Sequence, residues 1–401
     1  MSVVIVGGGP AGMVLGLLLA RAGVQVTVLE KHGDFLRDFR GDTVHPSTLQ
    51  LLDELGLIDR FNELPQSRLS EVAFPLGHGK SIVVANFARL KVKYPYIAMV
   101  PQWDLLNLLA EAGRAEPSFT LLMRHEVTSL MRSGDRITGV RGDFGEIYAD
   151  LTVACDGRWS IARGLAELHP KEFPVPIDAW WFRLPKLPYD TQNALTPRAG
   201  KGRFALVIPR EGFLQLAYIG RKGTDAALRS RGIEAFRRDI AELMPELADR
   251  VDGLRSMDDI KHLDVRLNRL DRWHIDGLLC IGDAAHAMSP VGGVGINLAI
   301  QDAVAAATLL APALLKGGAV DPEVLARVRS RRLLPTVAVQ LLQRMMHRVL
   351  VAPILDGRRM GPPKPALALM RRLPAASFVP AYLIGVGIRA EHAPPFARAE
   401  T

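Results

Sequence analysis

The beginning of the chain has a hydrophobic pattern that predicts a strand, a helix and a second strand. Residues 3–6 are four consecutive β-branched residues, which is typical of a strand buried in a parallel sheet. An apolar helix is expected over residues 13–20, ending before Gly23, and residues 24–29 form the next strand. A strand, a helix and a strand in this order predict a parallel α/β unit.

Beyond this unit, the pattern of apolar and polar residues predicts helices and strands of both the buried and the alternating kind. The predicted elements are, in chain order, a helix over residues 48–55, antiparallel strands over 71–96, a helix over 103–111, a β-meander over 121–150, a buried strand over 151–157 ending in Asp-Gly, a strand-rich region over 174–263 that includes a helix over 233–247, a buried strand over 277–283 ending in Gly-Asp, a helix over 297–314 and, from residue 331 onward, apolar helical segments separated by prolines.

These elements predict an α/β protein of three parts. At 401 residues the chain is long enough for two or three domains and a sizeable core. The predicted parts are a discontinuous dinucleotide-binding domain (residues 1–70, 97–170 and 264–330), an inserted, mostly antiparallel β-sheet domain that would bind substrate (71–96 and 171–263), and a C-terminal helical extension (331–401).

The turn after the first strand carries the pattern Gly-x-Gly-x-x-Gly at Gly7, Gly9 and Gly12. Gly7 permits a tight turn, Gly9 lets backbone N–H groups approach a pyrophosphate, and Gly12 lets the helix lie close to the strand. Glu30 ends the second strand, where a carboxylate accepts hydrogen bonds from the ribose of an adenosine. The alternative is a tight strand-turn-helix that binds no ligand. The complete unit of strand, helix, second strand and terminal acid favours a bound dinucleotide, but it does not distinguish FAD from NAD(P).

Composition excludes several other classes of function. The net charge is +8 at pH 7, but the basic residues are scattered, mostly arginine, and form no nucleic-acid recognition motif, so no nucleic-acid partner is expected. Cys155 and Cys280 lie far apart in apolar strands, which fits a reducing cytosol and offers no disulfide framework or metal-ligand spacing. We therefore expect a cytoplasmic protein without a metal. No targeting segment is predicted, and no apolar run approaches the ~20 residues needed to span a bilayer.

Three motifs together resemble a known family. Residues 7–12 (Gly-Gly-Gly-Pro-Ala-Gly), 155–160 (Cys-Asp-Gly-Arg-Trp-Ser) and 282–290 (Gly-Asp-Ala-Ala-His-Ala-Met-Ser-Pro) are similar to the three FAD motifs of the single-component (class A) flavin aromatic hydroxylases, typified by para-hydroxybenzoate hydroxylase. The likeness covers residues 1 to about 315. It implies a doubly wound, glutathione-reductase-like FAD domain, with the inserted sheet roofing the flavin ring.

The resemblance also implies a set of cofactor contacts. Arg40 would lie beside the pyrophosphate near the nicotinamide cofactor, Gln102 and Asp283 would reach the ribityl chain, and the backbone of 293–297 would hold the pyrimidine edge of the ring. A glycine-rich helix N-terminus suits that edge, because reduced flavin carries negative charge there. The full set of implied FAD-binding residues is Gly7, Gly9, Pro10, Ala11, Gly12, Glu30, Lys31, Arg40, Gln102, Val127, Asp156, Gly157, Gly282, Asp283, Gly293, Gly295, Ile296 and Asn297.

Candidates for a direct part in catalysis are Pro290, His45 and Arg40. A histidine beside a flavin is more often a structural hydrogen-bonding residue than a base, and this applies to His45 and to His286 alike.

The strand-rich region adds candidates for a substrate pocket. Trp180, Trp181 and Tyr218 could form its aromatic wall, although aromatic residues on strands are more often plain core. Arg183 could pair with an acidic substrate, although a solvated strand-face arginine is the plainer interpretation. Cys155 and Cys280 are expected to be small apolar fillers.

The function implied by the resemblance is hydroxylation of an electron-rich aromatic, phenol- or quinone-like compound. FAD would be reduced by NADH or NADPH, react with O2 to a C4a-hydroperoxide and transfer one oxygen atom. Alternatives are a flavin-dependent reductase or desaturase of a lipid-like substrate, a non-enzymatic flavin-binding module, and a flavin-dependent halogenase. Halogenases carry a Trp-x-Trp-x-Ile-Pro segment, which residues 180–185 do not match.

Overall fold

A computed structural model describes residues 1–36, 43–77, 80–188, 190, 195–210, 212–359 and 361–399. The chain has the mixed α/β fold that the sequence predicts. The strands in the described residues are β1 Ser2–Val6, β2 Gln25–Glu30, β3 Thr43–Val44, β4 Ser67–Leu69, β5 Glu71–Gly77, β6 Lys80–Asn86, β7 Ile97–Met99, β8 Phe119–Met123, β9 Val127–Ser133, β10 Arg136–Gly142, β11 Gly145–Tyr148, β12 Leu151–Ala154, β13 Lys171–Glu172, β14 Ile177–Pro185, β15 Thr196–Gly200, β16 Arg203–Pro209, β17 Phe213–Arg221, β18 Lys261–Leu263, β19 Asn268–Arg269, β20 His274–Ile275 and β21 Leu278–Cys280.

The helices are distributed along the whole chain. The α-helices in the described residues are α1 Pro10–Arg21, α2 Pro46–Glu54, α3 Ile58–Asn62, α4 Gln102–Arg114, α5 Ile161–Leu165, α6 Asp225–Ser230, α7 Gly232–Leu243, α8 Gly295–Lys316, α9 Pro322–Met346, α10 Ala352–Leu355, α11 Lys364–Arg372 and α12 Phe378–Gly385. A π-helical turn, His347–Val351, joins α9 to α10, and short 3-10 turns occur at Phe87–Arg89, Pro245–Gly253, Met257–Asp259, Gly282–Ala284, Pro374–Ser377 and Pro395–Ala397.

A six-stranded sheet forms the centre of the molecule, with strand order β20-β21-β12-β1-β2-β8. Its strands run parallel except for β20, which pairs with β21 in the antiparallel sense. Helices α1 and α8 pack together against it, and their apolar side chains share the largest buried cluster with β1, β2 and β12. The β-branched residues of β1 are therefore buried on both faces, as a central parallel strand requires.

The outermost parallel strand corrects one prediction. Residues 121–150 were expected to form one β-meander, but only β9, β10 and β11 do so. Phe119–Met123 instead pairs in parallel with β2, and Phe119 joins the apolar cluster formed with α1 and α4. Because α4 packs on α1, the chain leaving α4 enters the central sheet at its edge. The alternating pattern of apolar and polar residues does not distinguish a strand paired with β2 from a strand of the meander.

A second sheet of five antiparallel strands has the order β15-β16-β17-β14-β18. On β14, Trp180 and Phe182 point to one face, where they pack with Phe236 and Ile240 of α7. Trp181 points to the opposite face and belongs to clusters that include the hairpin β5–β6, the sheet β3-β7-β4 and α12. Residues distant in sequence therefore meet on this second face.

The helices α8 and α9 differ from the predictions in length. Helix α8 has 22 residues and is long and apolar enough to cross a membrane by length and composition, so the expectation that no run approaches this length is wrong. Of its most apolar window, 72% is buried inside the protein, as in a core helix. Helix α9 begins at Pro322, so the predicted boundary between residues 330 and 331 falls inside a continuous helix.

Candidate functional site

Four adjacent parallel strands bring the three sequence motifs to one edge of the central sheet. The strands β21, β12, β1 and β2 lie side by side in this order. They are followed at their carboxyl ends by Gly282, Asp156, Gly7 and, as the last residue of β2, Glu30. Ligands of doubly wound sheets bind at this edge.

The glycine-rich turn leaves space in front of the α1 N-terminus. Gly7 has a φ of +107°, and a Cβ on Gly12 would lie 2.0 Å from the Gly7 carbonyl oxygen, so these two positions require glycine. A Cβ on Gly9 would meet no described atom within 4 Å. Helix α1 begins at Pro10, followed by Ala11, and no side chain from the described part of the chain caps it. Its first N–H groups are available to an anion.

Glu30 lies directly beside this turn. Its side chain is buried, with Oε2 accepting from the Gly8 N–H at 3.1 Å and Oε1 accepting from the His32 N–H at 3.0 Å. Of the two further residues predicted here, Lys31 is half exposed with its Nζ 3.8 Å from Glu126. Val127 is buried in a cluster under the β9–β11 meander.

Asp156 is engaged within its own turn. Its Oδ1 accepts from Ser160 Oγ at 2.5 Å, and its Oδ2 accepts from the Ala162 N–H at 3.1 Å. Burial raises the pKa of Asp156 although these hydrogen bonds oppose the shift. The carboxylate thus orders the start of α5. The next residue, Gly157, has a φ of +85°, and a Cβ at this position would meet no described atom within 4 Å, so its backbone is open to a ligand.

The Gly-Asp turn is held by a buried ionic network. Asp302 of α8 accepts from the Gly282 N–H at 3.1 Å and contacts His286 Nε2 at 2.5 Å, and Arg332 Nε donates to its other oxygen at 2.9 Å. Burial would raise the pKa of Asp302, but His286 and Arg332 more than offset it, so the pKa is lowered. His286, at 1% exposure, is therefore a structural residue. Asp283 stays partly exposed, 3.3 Å from Arg158.

The segment after the Gly-Asp turn leads into α8. This helix begins at Gly295, two residues earlier than predicted, so Gly295, Ile296 and Asn297 form its first turn. Pro290 and Gly293 precede it and are partly exposed. The nearest described atom to a Cβ built on Gly295 is Met288 Cβ at 3.9 Å. No side chain of the described residues caps this helix, so a second helix N-terminus with open space beside it lies at the site.

Residues from β3 and α2 fix this segment. Thr43 Oγ1 donates to the Gly293 carbonyl at 2.8 Å, and Asn297 Oδ1 accepts from Ser47 Oγ at 2.9 Å and Thr48 Oγ1 at 2.6 Å. In this stretch the sequence predicts only the helix over residues 48–55. Its partners lie about 250 residues away in sequence, so no local pattern could identify them.

His45 is a structural link. Its Nδ1 lies 2.9 Å from the Ile384 carbonyl oxygen and its Nε2 lies 2.9 Å from the Gly293 carbonyl oxygen. Burial lowers the pKa of His45 to about 4, although both carbonyl contacts act in the opposite direction. The ring is thus neutral near pH 7 and donates to one carbonyl, while Thr43 supplies Gly293 with a donor in either case. Both ring nitrogens lie against backbone carbonyl oxygens and the side chain is fully buried, which argues against a catalytic base.

Comparison with known proteins identifies the fold and its cofactor. The profile of the family described as FAD binding domain matches residues 1–344. The chain belongs to this family. It is 34% identical over 386 residues to 6-methylpretetramide 4-monooxygenase of Streptomyces rimosus, covering 93% of this chain and 89% of that protein. It is 30% identical to 12-dehydrotetracycline 5-monooxygenase/anhydrotetracycline 6-monooxygenase of Streptomyces rimosus, covering 88% and 70%. This FAD-binding chain is a flavin-dependent monooxygenase.

Solved structures share its fold. The anhydrotetracycline hydroxylase OxyS of Streptomyces rimosus superposes with a TM-score of 0.76 at 24% identity, covering 98% of this chain and 78% of that one. PqsL of Pseudomonas aeruginosa, described as a probable FAD-dependent monooxygenase, gives a TM-score of 0.73 at 22% identity, covering 89% and 97%.

The residues at the sheet edge fit FAD. Two open helix N-termini, which no described side chain caps, and the buried Glu30 lie at one edge, and a side chain at Gly9 would occupy the space in front of α1. The resemblance to class A flavin hydroxylases is confirmed. In the described part of the chain no cluster of three or more His, Cys, Asp or Glu could hold a metal ion.

The remaining predicted residues are Arg40, Gln102, Trp180, Tyr218 and Arg183. Arg40 falls outside the described residues. Gln102 is the first residue of α4 and is partly buried. Trp180 and Tyr218 belong to the α7-facing core, so they do not wall a site with Trp181. Arg183 is exposed, with its guanidinium 4.7 Å from the Phe213 ring centroid and 5.9 Å from that of Trp103.

Proposed function

We propose that this FAD-dependent monooxygenase hydroxylates an electron-rich aromatic, phenol- or quinone-like compound, with NADH or NADPH as the reductant and O2 as the oxidant. The observation that carries the proposal is the convergence of three motif turns and two helix N-termini on one sheet edge. The relatives at 34% and 30% identity are named for the oxygenation of 6-methylpretetramide and of tetracycline-type compounds. These compounds are the first substrates to test.

The packing of the two sheets supports separate locations for FAD and for the substrate. We place FAD on the central sheet and the substrate between that sheet and the five-stranded sheet, which would act as a roof. Trp181 supports this, because it belongs to one apolar cluster with Val291 and to another with Met99. Its Nε1 is buried and has no hydrogen-bond partner among the described residues. The Trp181 face of the sheet thus adjoins the segment before α8 and offers a donor to a polar aromatic ligand.

Each part of the site has a separate task toward the cofactor. The N–H groups of the α1 N-terminus would bind the pyrophosphate, and Glu30 would bind the adenosine ribose. The N-terminus of α8 would face the pyrimidine edge of the ring, where its partial positive charge favours the anionic reduced state. Bound FAD, once reduced, supplies the chemistry that activates O2 for transfer to the substrate.

The protein must also exclude water and control the moment of reduction. The Trp181 face and the apolar cluster around Met99 would provide a dry wall against the ring. Reductant is wasted as hydrogen peroxide when O2 reacts without substrate, so we expect reduction to be slow until substrate is bound.

An isotope experiment tests the proposal. The FAD-loaded protein is incubated with NADH or NADPH, 18O2 and each candidate aromatic compound. We expect faster NAD(P)H oxidation with the right compound, with one 18O atom in the product and the other in water. Product oxygen taken from water, or turnover without O2, would refute hydroxylation and favour the reductase alternative. A flavin that NAD(P)H does not bleach would favour a binding module.

A further inference from the structure

Helix α9 buries its polar face. Five polar side chains on it and on the first residue of the following π-turn are each 2% exposed or less, at intervals of three or four residues: Arg332, Thr336, Gln340, Gln343 and His347. The opposite face exposes Leu334, Leu341 and Met345, each at more than half of its surface. A helix that only covers a core shows the reverse distribution. Burying this many polar groups costs free energy unless they form hydrogen bonds. Their hydrogen-bond partners therefore indicate why this face of α9 is polar.

The last two of these side chains bind the segment that leads into α8. Gln343 Nε2 donates to the carbonyl oxygens of Ser289 at 2.8 Å and Val291 at 3.0 Å, and its Oε1 accepts from the Ser289 N–H at 3.2 Å. His347 Nε2 lies 2.8 Å from Ser289 Oγ. Gln343 thus forms hydrogen bonds with three backbone groups that lie outside any strand or helix. His347 contacts the Ser289 side chain in the same segment.

The other end of the same segment is held from the opposite side. The Gly293 carbonyl accepts from Thr43 Oγ1 at 2.8 Å and contacts His45 Nε2 at 2.9 Å. Pro290 lies between the two attachments and is partly exposed, whereas Ser289 is 1% exposed. The segment 289–293, which we call the ring loop, is therefore anchored at both ends and open in the middle.

Two more residues of α9 reach the preceding turn. Arg332 binds Asp302, which in turn binds the Gly282 N–H. Gln340 Nε2 donates to the Asn268 carbonyl at 2.7 Å, and Asn268 Oδ1 accepts from the Ala287 N–H at 3.0 Å. One helix face thus contacts, directly or through one residue, Gly282, His286, Ala287, Ser289 and Val291.

We propose that Gln343 and His347 are positioning residues that fix the ring loop against the pyrimidine edge of the flavin, so that helix α9 is part of the ring-binding half of the site. The inference rests on the proposed placement of the ring. It assigns no role to these residues in binding the adenosine half, which lies at Gly9 and Glu30. A purely structural helix would instead support both halves equally.

The test compares FAD with ADP, which lacks the flavin ring. Affinities of the apoprotein are measured by fluorescence titration for the wild type, Gln343→Met and the matched control Thr336→Val. Thr336 is equally buried on the same helix, but its Oγ1 donates only to the Arg332 carbonyl within α9. We expect Gln343→Met to weaken FAD at least tenfold and to change ADP less than twofold. Thr336→Val is expected to change neither affinity while it lowers the melting temperature.

A second pair of variants tests His347 and guards against misfolding. His347→Gln keeps a polar group within reach of Ser289, whereas His347→Leu does not. We expect His347→Leu to weaken FAD selectively and to shift the visible flavin spectrum, and His347→Gln to restore most of both. Equal loss of FAD and ADP, or loss of neither, in Gln343→Met or His347→Leu would overturn the proposal. These titrations need no turnover, so their outcome is separate from that of the hydroxylation test.

Discussion

The buried His45 makes the fold sensitive to acid. Its pKa is about 4 in the folded protein and 6.5 for an ordinary histidine, because burial disfavours the charged ring. Between these two values the unfolded chain binds a proton that the folded chain does not, so stability falls as the pH falls from 6.5 toward 4. At pH 5 the loss from this one group is about 2 kcal/mol relative to neutral pH.

The substitution His45→Asn removes this proton-linked loss. Asn keeps an N–H donor near the position of Nδ1, where it can bind the Ile384 carbonyl, and Thr43 still donates to Gly293. Asn is also a favourable residue at the N-cap of α2, the position that His45 occupies. From pH 7.5 to pH 5 we expect the free energy of unfolding of His45→Asn to decrease by about 2 kcal/mol less than that of the wild type.

Urea unfolding at pH 7.5, 6 and 5 measures the difference. His347 also lowers the stability at acid pH, because burial lowers its pKa to about 4 as well. The wild type and His45→Asn both retain this contribution of His347. The exposed His169→Asn is the matched control and should follow the wild-type pH dependence. If His45→Asn loses as much stability between pH 7.5 and 5 as the wild type does, the argument from burial is wrong.

Three further predictions concern cofactor binding. Glu30→Ala should weaken FAD and ADP alike by about tenfold to a hundredfold, since a hydrogen bond to a charged group contributes ~1.5–3 kcal/mol; unchanged titrations would remove Glu30 from the site. Gly295→Val should lose FAD but keep the melting temperature of the apoprotein, because Met288 Cβ at 3.9 Å is the one described atom within 4 Å of a Cβ at this position. Gly12→Ala should instead destabilise the apoprotein, and the reverse result would contradict both placements. Arg40→Ser should raise the KM for NAD(P)H and leave that for substrate nearly unchanged, and equal effects on both KM values would contradict a contact between Arg40 and the nicotinamide cofactor.

The sequence alone determined the parts of this protein whose conformation depends on neighbouring residues. Four β-branched residues followed by Gly7, Gly9 and Gly12 are a local signal for a buried strand, a tight turn and a helix packed close to the strand. The same holds for the strands that precede Asp156 and Gly282. Because parallel strands present their carboxyl ends at one edge, these local signals were sufficient to predict a common cofactor site.

Tertiary structure decided the features that depend on which distant segments meet. Phe119–Met123 joins the central sheet because α4 packs on α1, and an alternating strand pattern does not specify its neighbour. The sequence alone does not indicate why α9 has a buried polar face, because Ser289, the hydrogen-bond partner of Gln343, lies 54 residues away in the chain. His45 likewise resembles a catalytic candidate until the fold closes carbonyl groups over both of its nitrogens. Long-range contacts of this kind arise from packing, which a local pattern of hydrophobic and polar residues does not encode.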